Sequence, residues 1–501
     1  MAVNFFCLKE VQINIIPNNF NFIDRIKAYQ FKKRLSIGKK ADRIQIGRMK
    51  NEDKPRTLTS QAAKNIAKTV LLRGWVRLRR DHGKLIFLDL RDKDGLIQIV
   101  VNPKVSEEAY RAAEALRPED VIEVAGKVSK RPQGTVNKDL KTGEIEVTAH
   151  KIKVLSKAQT LPFDMGEANL NLELPTLLDH RALTLRHPKV AAIFKVQDTL
   201  VSSFRDTLKK EGFIEVFVPT IVAAATEGGA EVFSIDYYNH KAYLGQSPQL
   251  YKQIMVGAFE RVFTIAHAYR AEPSVTTRHL SEYVSLDAEF GFINSWQDLM
   301  DMAEKVVLGM IEMVKKENAN EIDSIFKIKL PEIKNRIPRL KMREAQEIIF
   351  KRKKTDHRKE PDLDPSDEKE ICNWAKEQTG APFVFITHYP TKKRPFYTMP
   401  DPENPEYTLS FDLLGINEEW VTGGQRINDY EMLLSNMKKF GVNPKDFEIY
   451  LQAFRYGMPP EGGFAMGLER ITKDLLGLSN VREASLFPRD MERVDERFSK
   501  V

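Results

Sequence analysis

Between residues 69 and 155, five short segments alternate apolar and polar positions, which is the period of a half-buried β-strand. The segments are TVLLRGWVRLRR, KLIFLDLRD, GLIQIVVN, DVIEVAGKVSKR and GEIEVTAHKIKVL, and turns that contain glycine separate several of them. A helical stretch, SEEAYRAAEALR, lies between the third segment and the fourth. Five strands with an inserted helix predict a small Greek-key barrel of the oligonucleotide-binding (OB) type.

A different pattern begins after the predicted barrel. Residues 156–190 contain prolines and only weak periodicity, so we expect a hinge there. The next segment repeats apolar residues at helical spacing and ends at Gly212, strand-like segments follow, and helical patterns return at 296–318 and near 340–354. Strands that are mostly joined by hairpins, with helices segregated from them, predict an α+β domain on an antiparallel sheet at residues 191–501.

The composition narrows the class of protein. A chain of 501 residues, 42% hydrophobic and 30% charged, has room for about two to four globular domains and is too apolar for disorder throughout. No apolar run approaches the ~18 residues of a membrane-spanning helix. The two cysteines, Cys7 and Cys372, exclude a disulfide framework and a zinc site built from cysteines. They favour a reducing compartment, so we expect a cytoplasmic protein.

The net charge of +8 is concentrated at one end of the chain. Residues 1–58 carry 13 Lys and Arg against 5 Asp and Glu, which accounts for the whole excess. We expect residues 1–60 to form a basic, disordered extension before the barrel at residues 61–155. Two alternatives stay open for the extension: an arm that binds the phosphates of a nucleic acid, and a targeting peptide.

The segment AYRAEPSVTTRHLSEY carries the first candidate chemistry. Arg270 and Glu272 are two residues apart, which on a strand places both on one face. Arg278 and His279 follow across a basic loop, and a second strand resumes near Tyr283. Two strands joined by such a loop could hold a polyphosphate, because arginine binds phosphate through two parallel hydrogen bonds. The alternative is a solvated hairpin edge.

Near the C-terminus, the segment PPEGGFAMGLERI places glycines where a strand enters a helix. Arg470 lies one turn into that helix, where it can face a nucleotide. The segment lacks the G-K-[ST] of a P-loop and the G-x-G-x-x-G of a dinucleotide-binding turn, so taken alone it is a weak signal. A third segment, EGFIEVFVPTIV, is expected to be a strand that ends at Pro219.

Along the chain, the strand that ends at a proline comes first, the basic hairpin second and the glycine-rich turn third. In this order the three segments resemble motifs 1, 2 and 3 of the class II aminoacyl-tRNA synthetases. The resemblance covers residues 69–501. Its most specific segments are similar to aspartyl-tRNA synthetases of the archaeal and eukaryotic type: TEGGAEVF, QSPQLYKQ, TTRHLSEY, RPFYTMPDPENPEYTLSFDLL, EEWVTGGQRI and GGFAMGLERI. The resemblance implies an OB-fold barrel followed by a class II catalytic domain that activates aspartate with ATP and transfers it to tRNA(Asp).

The resemblance also implies an ATP site. Its matching residues are Arg270, Glu272, Arg278, His279, Leu280, Tyr283, Glu419, Gly467 and Arg470. Arg270, which would grip the α-phosphate, and Arg470 are the expected catalytic residues, because attack on the α-phosphorus spreads negative charge over phosphate oxygens. Tyr283 would stack on adenine. Mg²⁺ would be held by oxygen atoms of Glu419, Thr422 and Asp412.

For the amino acid, the resemblance implies a separate set of contacts. The matching residues are Glu227, Gln249, Lys252, Asp287, Thr422 and Arg426. Lys252 and Arg426 would pair with the side-chain carboxylate of aspartate, and the ammonium group would lie against Glu227, Gln249 and Asp287. Two cations suit aspartate, because asparagine would leave a desolvated positive pair without compensation.

The barrel would read the anticodon. By the same resemblance, Phe87 stacks on a base, Gln98 reads the middle uridine and Glu146 faces a neighbouring base, which matches how single-stranded RNA is recognised. Without the resemblance, Phe87 would be assigned to the barrel core. His82 stands where bacterial relatives that charge only tRNA(Asp) tend to have leucine, so charging of tRNA(Asn) as well stays open.

Two other functions are weighed against this one. An asparaginyl-tRNA synthetase is disfavoured by Lys252, and a non-catalytic tRNA-binding paralogue is disfavoured by the intact Arg270, Glu419 and Arg470. Because motif 1, here around Pro219, forms the two-fold interface in the family, the resemblance also implies a homodimer.

Overall fold

The computed structural model describes residues 55–138, 140–167, 169–223, 231–273 and 276–498. Contacts between residues divide the chain into two units, residues 1–160 and 161–501. Apart from residues 55–60, the predicted basic extension lies outside the described residues. Within the described ranges, no helix is both long enough and apolar enough to cross a membrane.

The first unit is a closed barrel of five strands. These are β1 Thr69–His82, β2 Leu85–Asp92, β3 Gly95–Val101, β4 Val121–Lys130 and β5 Ile145–Ser156. They follow one another around the barrel in the order β1, β2, β3, β5, β4, with β3 and β5 parallel. Side chains alternate along β2, so Ile86 and Leu88 are buried in the barrel while Phe87 between them is half-buried on the outer face. The predicted OB barrel is confirmed.

The inserted helix is α1, Glu107–Glu114. Ser106 sets its start, because the Ser106 hydroxyl accepts a hydrogen bond from the backbone N–H of Ala109. A short 3₁₀ turn, Thr59–Asn65, precedes β1. Thr59 donates to the carboxylate of Asp92 from its N–H at 2.7 Å and from its hydroxyl at 2.6 Å, which ties the turn to β2.

The second unit combines a large sheet, a small sheet and helices. Its helices are α2 Leu174–Asp179, α3 Arg181–Thr184, α4 Pro188–Lys210, α5 Gln249–Phe259, α6 Gln297–Glu317, α7 Met342–Lys353, α8 Pro365–Thr379, α9 Tyr430–Lys439, α10 Glu448–Arg455 and α11 Leu468–Leu476, with short 3₁₀ or π turns at Glu321–Phe326, Thr391–Lys393, Pro444–Phe447 and Val481–Ala484. Its strands are β6 Ile214–Glu215, β7 Ile221–Val222, β8 Ser234–Tyr237, β9 His240–Leu244, β10 Arg261–Tyr269, β11 Glu282–Gly291, β12 Arg339–Lys341, β13 Phe383–Thr387, β14 Ser410–Gly415, β15 Glu418–Gln425 and β16 Glu461–Gly467.

The large sheet has eight strands in the order β12, β13, β14, β15, β16, β11, β10, β6, and β7, β9 and β8 form the small sheet. The middle of the large sheet is antiparallel, as predicted, and its edge pairs β12–β13 and β10–β6 are parallel. The last strand of the chain, β16, lies between β15 and β11. This order brings segments that are far apart in the sequence to one central surface.

Helices α4 and α6 lie in the core of the second unit beside this sheet. Phe204 of α4 meets Phe263 of β10 edge to face, with 5.8 Å between ring centroids. Helix α4 is followed by Gly212, whose φ of +82° suits a residue without a side chain. The predicted end of this helix and the predicted helix at 296–318 are confirmed.

The motif 1 segment IEVFVPTIV is not one continuous strand. Strand β6 ends at Glu215 and β7 begins at Ile221, on either side of Pro219. Strand β6 pairs with β10 in the large sheet and β7 with β9 in the small sheet, so the chain changes sheets in this gap, where Pro219 has no N–H to donate. The side chain of Phe217 in the gap is 88% exposed.

The predicted hinge at 156–190 contains helical structure. Helices α2 and α3 lie within it, and the buried guanidinium group of Arg181 donates to the backbone carbonyls of Glu483, Ser485 and Leu486. These hydrogen bonds join the start of the second unit to its end.

Candidate active site

A cavity of about 410 Å³ opens over the central strands of the large sheet. Many of the residues predicted from the sequence line it. They are Gln249, Arg270, Glu272, Arg278, His279, Leu280, Tyr283, Glu419, Thr422, Arg426, Gly467 and Arg470. The neighbouring positions of β15, β16, β11 and β10 in the sheet bring these residues together.

Arg270 and Glu272 reach the cavity from a loop, and their predicted placement on a strand is wrong. Strand β10 ends at Tyr269, and the last hydrogen bond across the hairpin runs from the N–H of Arg270 to the carbonyl of Ser281 at 2.9 Å. The two side chains still face each other, with Nη1 of Arg270 at 3.6 Å from Oε1 of Glu272. The guanidinium carbon of Arg270 lies 5.5 Å from the ring centroid of Tyr283, so a cation and an aromatic ring share one wall of the cavity.

Arg470 faces the cavity from the first turn of α11. Its Nη1 lies 3.6 Å from Oε1 of Glu419 and donates to the backbone carbonyl of the same residue at 3.2 Å. Gly467 immediately precedes the helix. A Cβ atom at Gly467 would have Cβ of Arg470 at 3.7 Å as its nearest contact, which is an ordinary van der Waals distance. Packing within the chain therefore does not require glycine here, and the open space belongs to the cavity.

Arg278 is held by two carboxylates. Its Nη1 lies 2.7 Å from Oε2 of Glu368, and its Nε lies 3.2 Å from Oε2 of Glu418. Burial raises the pKa of Glu368 to about 7, against the opposing effect of Arg278. Glu368 belongs to α8, a helix between motifs 2 and 3 that the motif pattern does not include. His279, also predicted, lies with its Nε2 at 3.7 Å from Oε2 of Glu272.

The residues expected to bind the amino acid form a buried charged cluster. Lys252 is fully buried, and its Nζ lies 2.7 Å from Oδ1 of Asp287 and 3.1 Å from Oε2 of Glu289. Nε of Arg426 lies 2.7 Å from Oε1 of Glu289, and Nε2 of Gln249 donates to the same oxygen at 3.0 Å. Gln249 and Arg426 line the cavity, whereas Lys252 and Asp287 lie behind its wall.

Glu289 is the residue of this cluster that the sequence interpretation missed. The segment VSLDAEFGFI does contain the signal, because Asp287 and Glu289 are two apart on β11 and therefore share a face. A fully buried Asp287 that pairs with Lys252 is placed to hold that lysine, and its predicted contact with the substrate ammonium group stays a prediction. Glu227 lies outside the described residues.

The predicted metal ligands lie beside one another on β14 and β15. The hydroxyl of Thr422 donates to Oδ1 of Asp412 at 2.6 Å, and Nη2 of Arg394 donates to Oδ2 of Asp412 at 2.8 Å. Burial, followed by the nearby Asp412, raises the pKa of Glu419. Two crowded carboxylates and a hydroxyl are a donor set that suits Mg²⁺, with Glu419 as the carboxylate that faces the cavity.

Further residues of the cavity wall were not predicted as site residues. They include Ser247, Lys393, Arg394, Tyr397, Ser410 and Glu469. Arg394 and Tyr397 belong to the segment RPFYTMP, which carries part of the resemblance to the family but contains none of the predicted site residues. Carbon Cζ of Arg394 lies 3.8 Å from the ring centroid of Tyr389, which fixes the guanidinium group beside the cavity.

On the barrel, the four predicted anticodon residues fall into two adjoining pairs. His82 and Phe87 meet edge to face with 5.8 Å between ring centroids. Nε2 of Gln98 donates to Oε2 of Glu146 at 3.2 Å, and burial raises the pKa of that carboxyl. The outward position of Phe87 argues against the alternative that it belongs to the barrel core.

Comparisons with known proteins agree with both units. A family model described as tRNA synthetases class II (D, K and N) matches residues 173–491, and one described as OB-fold nucleic acid binding domain matches residues 70–155. The aspartate–tRNA(Asp/Asn) ligase of Deinococcus radiodurans is 41% identical over 449 residues, which cover 88% of this chain and 98% of that protein. The aspartate–tRNA(Asp) ligase of Pyrococcus furiosus is 41% identical over 434 residues, 85% of this chain and 96% of that protein.

Solved structures are similar over nearly the same extent. Asparaginyl-tRNA synthetase from Pyrococcus horikoshii, complexed with asparaginyl-adenylate, has a TM-score of 0.79 and 34% identity and covers 86% of this chain and 97% of its own. Aspartyl tRNA synthetase from Entamoeba histolytica has a TM-score of 0.77 and 28% identity, covering 88% of this chain and 92% of its own. The chain therefore belongs to the class II aminoacyl-tRNA synthetases of the aspartate, lysine and asparagine group, and within that group to the archaeal type of aspartyl-tRNA synthetases.

Proposed function

We propose that this enzyme activates L-aspartate with ATP to aspartyl-adenylate and transfers the aspartyl group to the 3′ end of tRNA(Asp). One observation carries the choice of amino acid: two cations, Lys252 and Arg426, are joined through Glu289 at the buried end of a cavity whose other walls carry arginines. The two cations at this end of the cavity suit a substrate that carries a second carboxylate. The arginines of the other walls, Arg270, Arg278 and Arg470, suit a polyphosphate.

The activation step needs no nucleophile from the protein. The α-carboxylate of aspartate attacks the α-phosphorus of ATP, the bond to the bridging oxygen breaks, and pyrophosphate leaves with the bonding electrons. Arg270 and Arg470 are proposed to stabilise the negative charge that spreads over the phosphate oxygens. The preformed position of Arg470 beside Glu419 and of Arg270 beside Tyr283 supports these roles, because groups already oriented for the transition state reorganise little during the reaction.

Transfer follows by acyl exchange. A terminal ribose hydroxyl of tRNA attacks the carbonyl carbon of the mixed anhydride, AMP leaves, and the hydroxyl proton passes to the departing phosphate or to water. The adenylate is held in the same cavity throughout, so Arg270 and Arg426 are proposed to anchor its phosphate end and its amino-acid end respectively.

We propose that Mg²⁺ is held by Glu419 and the hydroxyl of Thr422, with Asp412 close by. Bound there, the ion would offset negative charge on the phosphate oxygens of ATP. Arg394 donates to Asp412 at 2.8 Å and to the Thr422 hydroxyl at 3.1 Å, so it orients both groups and partly balances the charge of the site.

The outer face of the barrel is proposed to bind the anticodon. A half-buried Phe87 beside His82, and the amide of Gln98 beside the carboxyl of Glu146, offer a stacking surface next to hydrogen-bonding groups. Charging of tRNA(Asn) is a separate question. The relative from Deinococcus radiodurans is named a ligase for tRNA(Asp/Asn) and that from Pyrococcus furiosus a ligase for tRNA(Asp), and both are 41% identical to this chain.

A homodimer is proposed on the exposed apolar surface around Pro219. The side chains of Phe217, Ile214 and Ile221 are 88%, 47% and 45% exposed, which is unusual for large apolar residues so close together in the chain. Light scattering coupled to size exclusion measures the mass directly, and a monomer at micromolar concentration would contradict the proposal.

ATP–pyrophosphate exchange with aspartate, asparagine and lysine tests the activity. We expect exchange with aspartate, and exchange driven by asparagine instead would replace the proposal by the asparaginyl alternative. Aminoacylation of separate tRNA(Asp) and tRNA(Asn) transcripts with aspartate then gives the tRNA specificity.

A further inference from the structure

One buried carboxyl beside the amino-acid end of the cavity has no part in the chemistry described so far. Glu461 is the first residue of β16 and is fully buried. Its backbone carbonyl accepts a hydrogen bond from the N–H of Arg426 at 2.9 Å, which fixes it directly behind that residue. An isolated carboxylate so far from water is costly, so its protonation state and its partners must be accounted for.

The two oxygens of Glu461 differ in their surroundings. Oε1 accepts a hydrogen bond at 2.7 Å from Nε2 of Gln253, whose own Oε1 accepts from Tyr450 at 3.2 Å. Oε2 of Glu461 is buried and receives no hydrogen bond from a donor in the described ranges, whereas Oε2 of Glu289 has Nζ of Lys252 at 3.1 Å. Glu461 of β16 is paired with Gly291 of β11, two residues from Glu289, so the two carboxyl groups are diagonal neighbours on one face of the sheet.

The balance of charges in the cluster also indicates that one of its carboxyl groups is protonated. The cluster contains the two cations Lys252 and Arg426 and three carboxyls, namely Asp287, Glu289 and Glu461. Burial, and then the neighbouring Glu289, raises the pKa of Glu461 well above its usual range. Although burial opposes it, Arg426 and Lys252 together lower the pKa of Glu289. The excess proton therefore belongs to Glu461.

We propose that Glu461 is a positioning residue of the amino-acid pocket that works in its uncharged form and donates its carboxyl proton to the carboxylate of Glu289. Through this hydrogen bond Glu461 orients Glu289, and Glu289 in turn holds Arg426, Lys252 and Gln249. The inference rests on the proposed function, since it concerns the pocket for aspartate.

An uncharged Glu461 has a direct consequence for substrate binding. When Glu461 is uncharged, Asp287 and Glu289 balance the charges of the two cations, Lys252 and Arg426. The pocket is then neutral before the substrate enters. With an ionised Glu461 the pocket would already be negative, and the side-chain carboxylate of aspartate would be repelled in a low-dielectric site.

Two substitutions of similar size separate these possibilities. Glu461→Gln keeps an uncharged donor that can reach Glu289, and Glu461→Met keeps the length but removes both the donor and the acceptor for Gln253. In ATP–pyrophosphate exchange we expect KM for aspartate at least tenfold lower for Glu461→Gln than for Glu461→Met. We expect KM for ATP to be alike in both variants, because the cluster lies at the amino-acid end of the cavity. A purely structural role would change both KM values together.

The protonation state is measured independently of activity. The infrared difference spectrum between the wild-type enzyme and Glu461→Gln at pH 7.5 should lose the band of a protonated carboxyl. A band of an ionised carboxylate in its place would overturn the proposal, as would a Glu461→Gln variant that binds aspartate tenfold more tightly than the wild type. Equal KM for aspartate in the Gln and Met variants would overturn the positioning role. If the wild type activates no aspartate, the proposed function fails instead, and the spectrum still reports the state of Glu461.

Discussion

Oε1 of Glu289 lies 2.7 Å from Nε of Arg426, and Oε2 of the same carboxylate lies 3.1 Å from Nζ of Lys252. One buried anion thus holds both cations of the pocket at fixed positions. Since about half of the catalytic unit separates the two cations in the sequence, their spacing is set by the sheet and by this carboxylate.

Lys252→Met should nearly abolish aspartate activation. The substitution leaves Asp287 and Glu289 buried with one cation between them, and breaking a buried pair costs about 3–5 kcal/mol. We expect kcat/KM for aspartate in ATP–pyrophosphate exchange to fall by two to three orders of magnitude. Lys195→Met is the matched control, because the Lys195 side chain is 52% exposed and its pairing with Glu321 is a surface interaction. Retained activity in Lys252→Met would refute the pocket assignment.

Gly467→Ala should weaken ATP binding without unfolding the protein. Its φ of −85° is accessible to alanine, and the added methyl group would project into the cavity. We expect KM for ATP to rise about tenfold, the usual effect of one unwanted methyl group in a pocket.

Gly463→Ala provides the contrast for that prediction. A Cβ atom there would lie 2.1 Å from the carbonyl oxygen of Ala288 and 2.3 Å from Oε2 of Glu289, so the strands cannot accept it without moving apart. We expect a large loss of thermal stability in this variant and none in Gly467→Ala. If Gly467→Ala lowers the melting temperature as much as Gly463→Ala does, the space beside Gly467 is not part of the ligand cavity.

Glu368→Gln should lower KM for ATP by a fewfold. Arg278 is bound to Glu368 and Glu418, and a triphosphate has to replace these partners. Removal of one negative charge makes the exchange of partners easier, because a hydrogen bond to a charged group contributes about 1.5–3 kcal/mol and one to a neutral group about 0.5–1.5 kcal/mol. A higher KM for ATP would mean that Glu368 instead presents Arg278 to the nucleotide.

The pH dependence of stability should contain a contribution from Glu469. Both oxygens of Glu469 accept from the N–H of Val284 at 3.1 Å, and burial raises the pKa of this carboxyl to about 7. Between the unfolded value near 4.5 and 7, the unfolded chain loses the proton while the folded chain keeps it, so this group makes the protein less stable as pH rises. Glu469→Gln should flatten the fall in melting temperature across that window. An unchanged slope would show that Glu469 is ionised in the folded protein.

Phe87→Ala should impair tRNA charging and leave aspartate activation intact. Stacking of a base on an aromatic side chain is worth about 1–3 kcal/mol, so we expect KM for the tRNA(Asp) transcript to rise by roughly five- to a hundredfold. Exchange without tRNA serves as the internal control. A minihelix that carries the acceptor stem but no anticodon should lose nothing from the substitution, and a loss as large as on the full transcript would place Phe87 outside the anticodon site.

Alternation and motif order were enough to predict much of this molecule. The period of two predicted the barrel strands, and the motif order located Arg270 and Arg470 at one cavity. Phe87, which without the resemblance would be assigned to the barrel core, lies on the outer face. Alternation and motif order could not predict Glu368 or Glu461 as site residues. Each of them contacts a residue from a distant segment of the chain, and the order of the strands in the sheet decides which distant segments lie close together. The strand prediction failed for Arg270 and Glu272 because the ladder of the hairpin ends at the hydrogen bond between Arg270 and Ser281.

The place of β16 in the large sheet has a consequence for how the protein is made. Strand β16, Glu461–Gly467, separates β15 from β11, and Arg181 bonds to carbonyls at 483–486. The barrel is complete once Ser156 has been synthesised, but the catalytic sheet lacks a central strand until some 300 residues later. At ribosomal rates of about 5–20 residues per second, that interval lasts roughly 15–60 s. During this time the nascent chain carries a finished RNA-binding barrel and an unfinished catalytic sheet with open strand edges, the stage at which protection by a chaperone matters most.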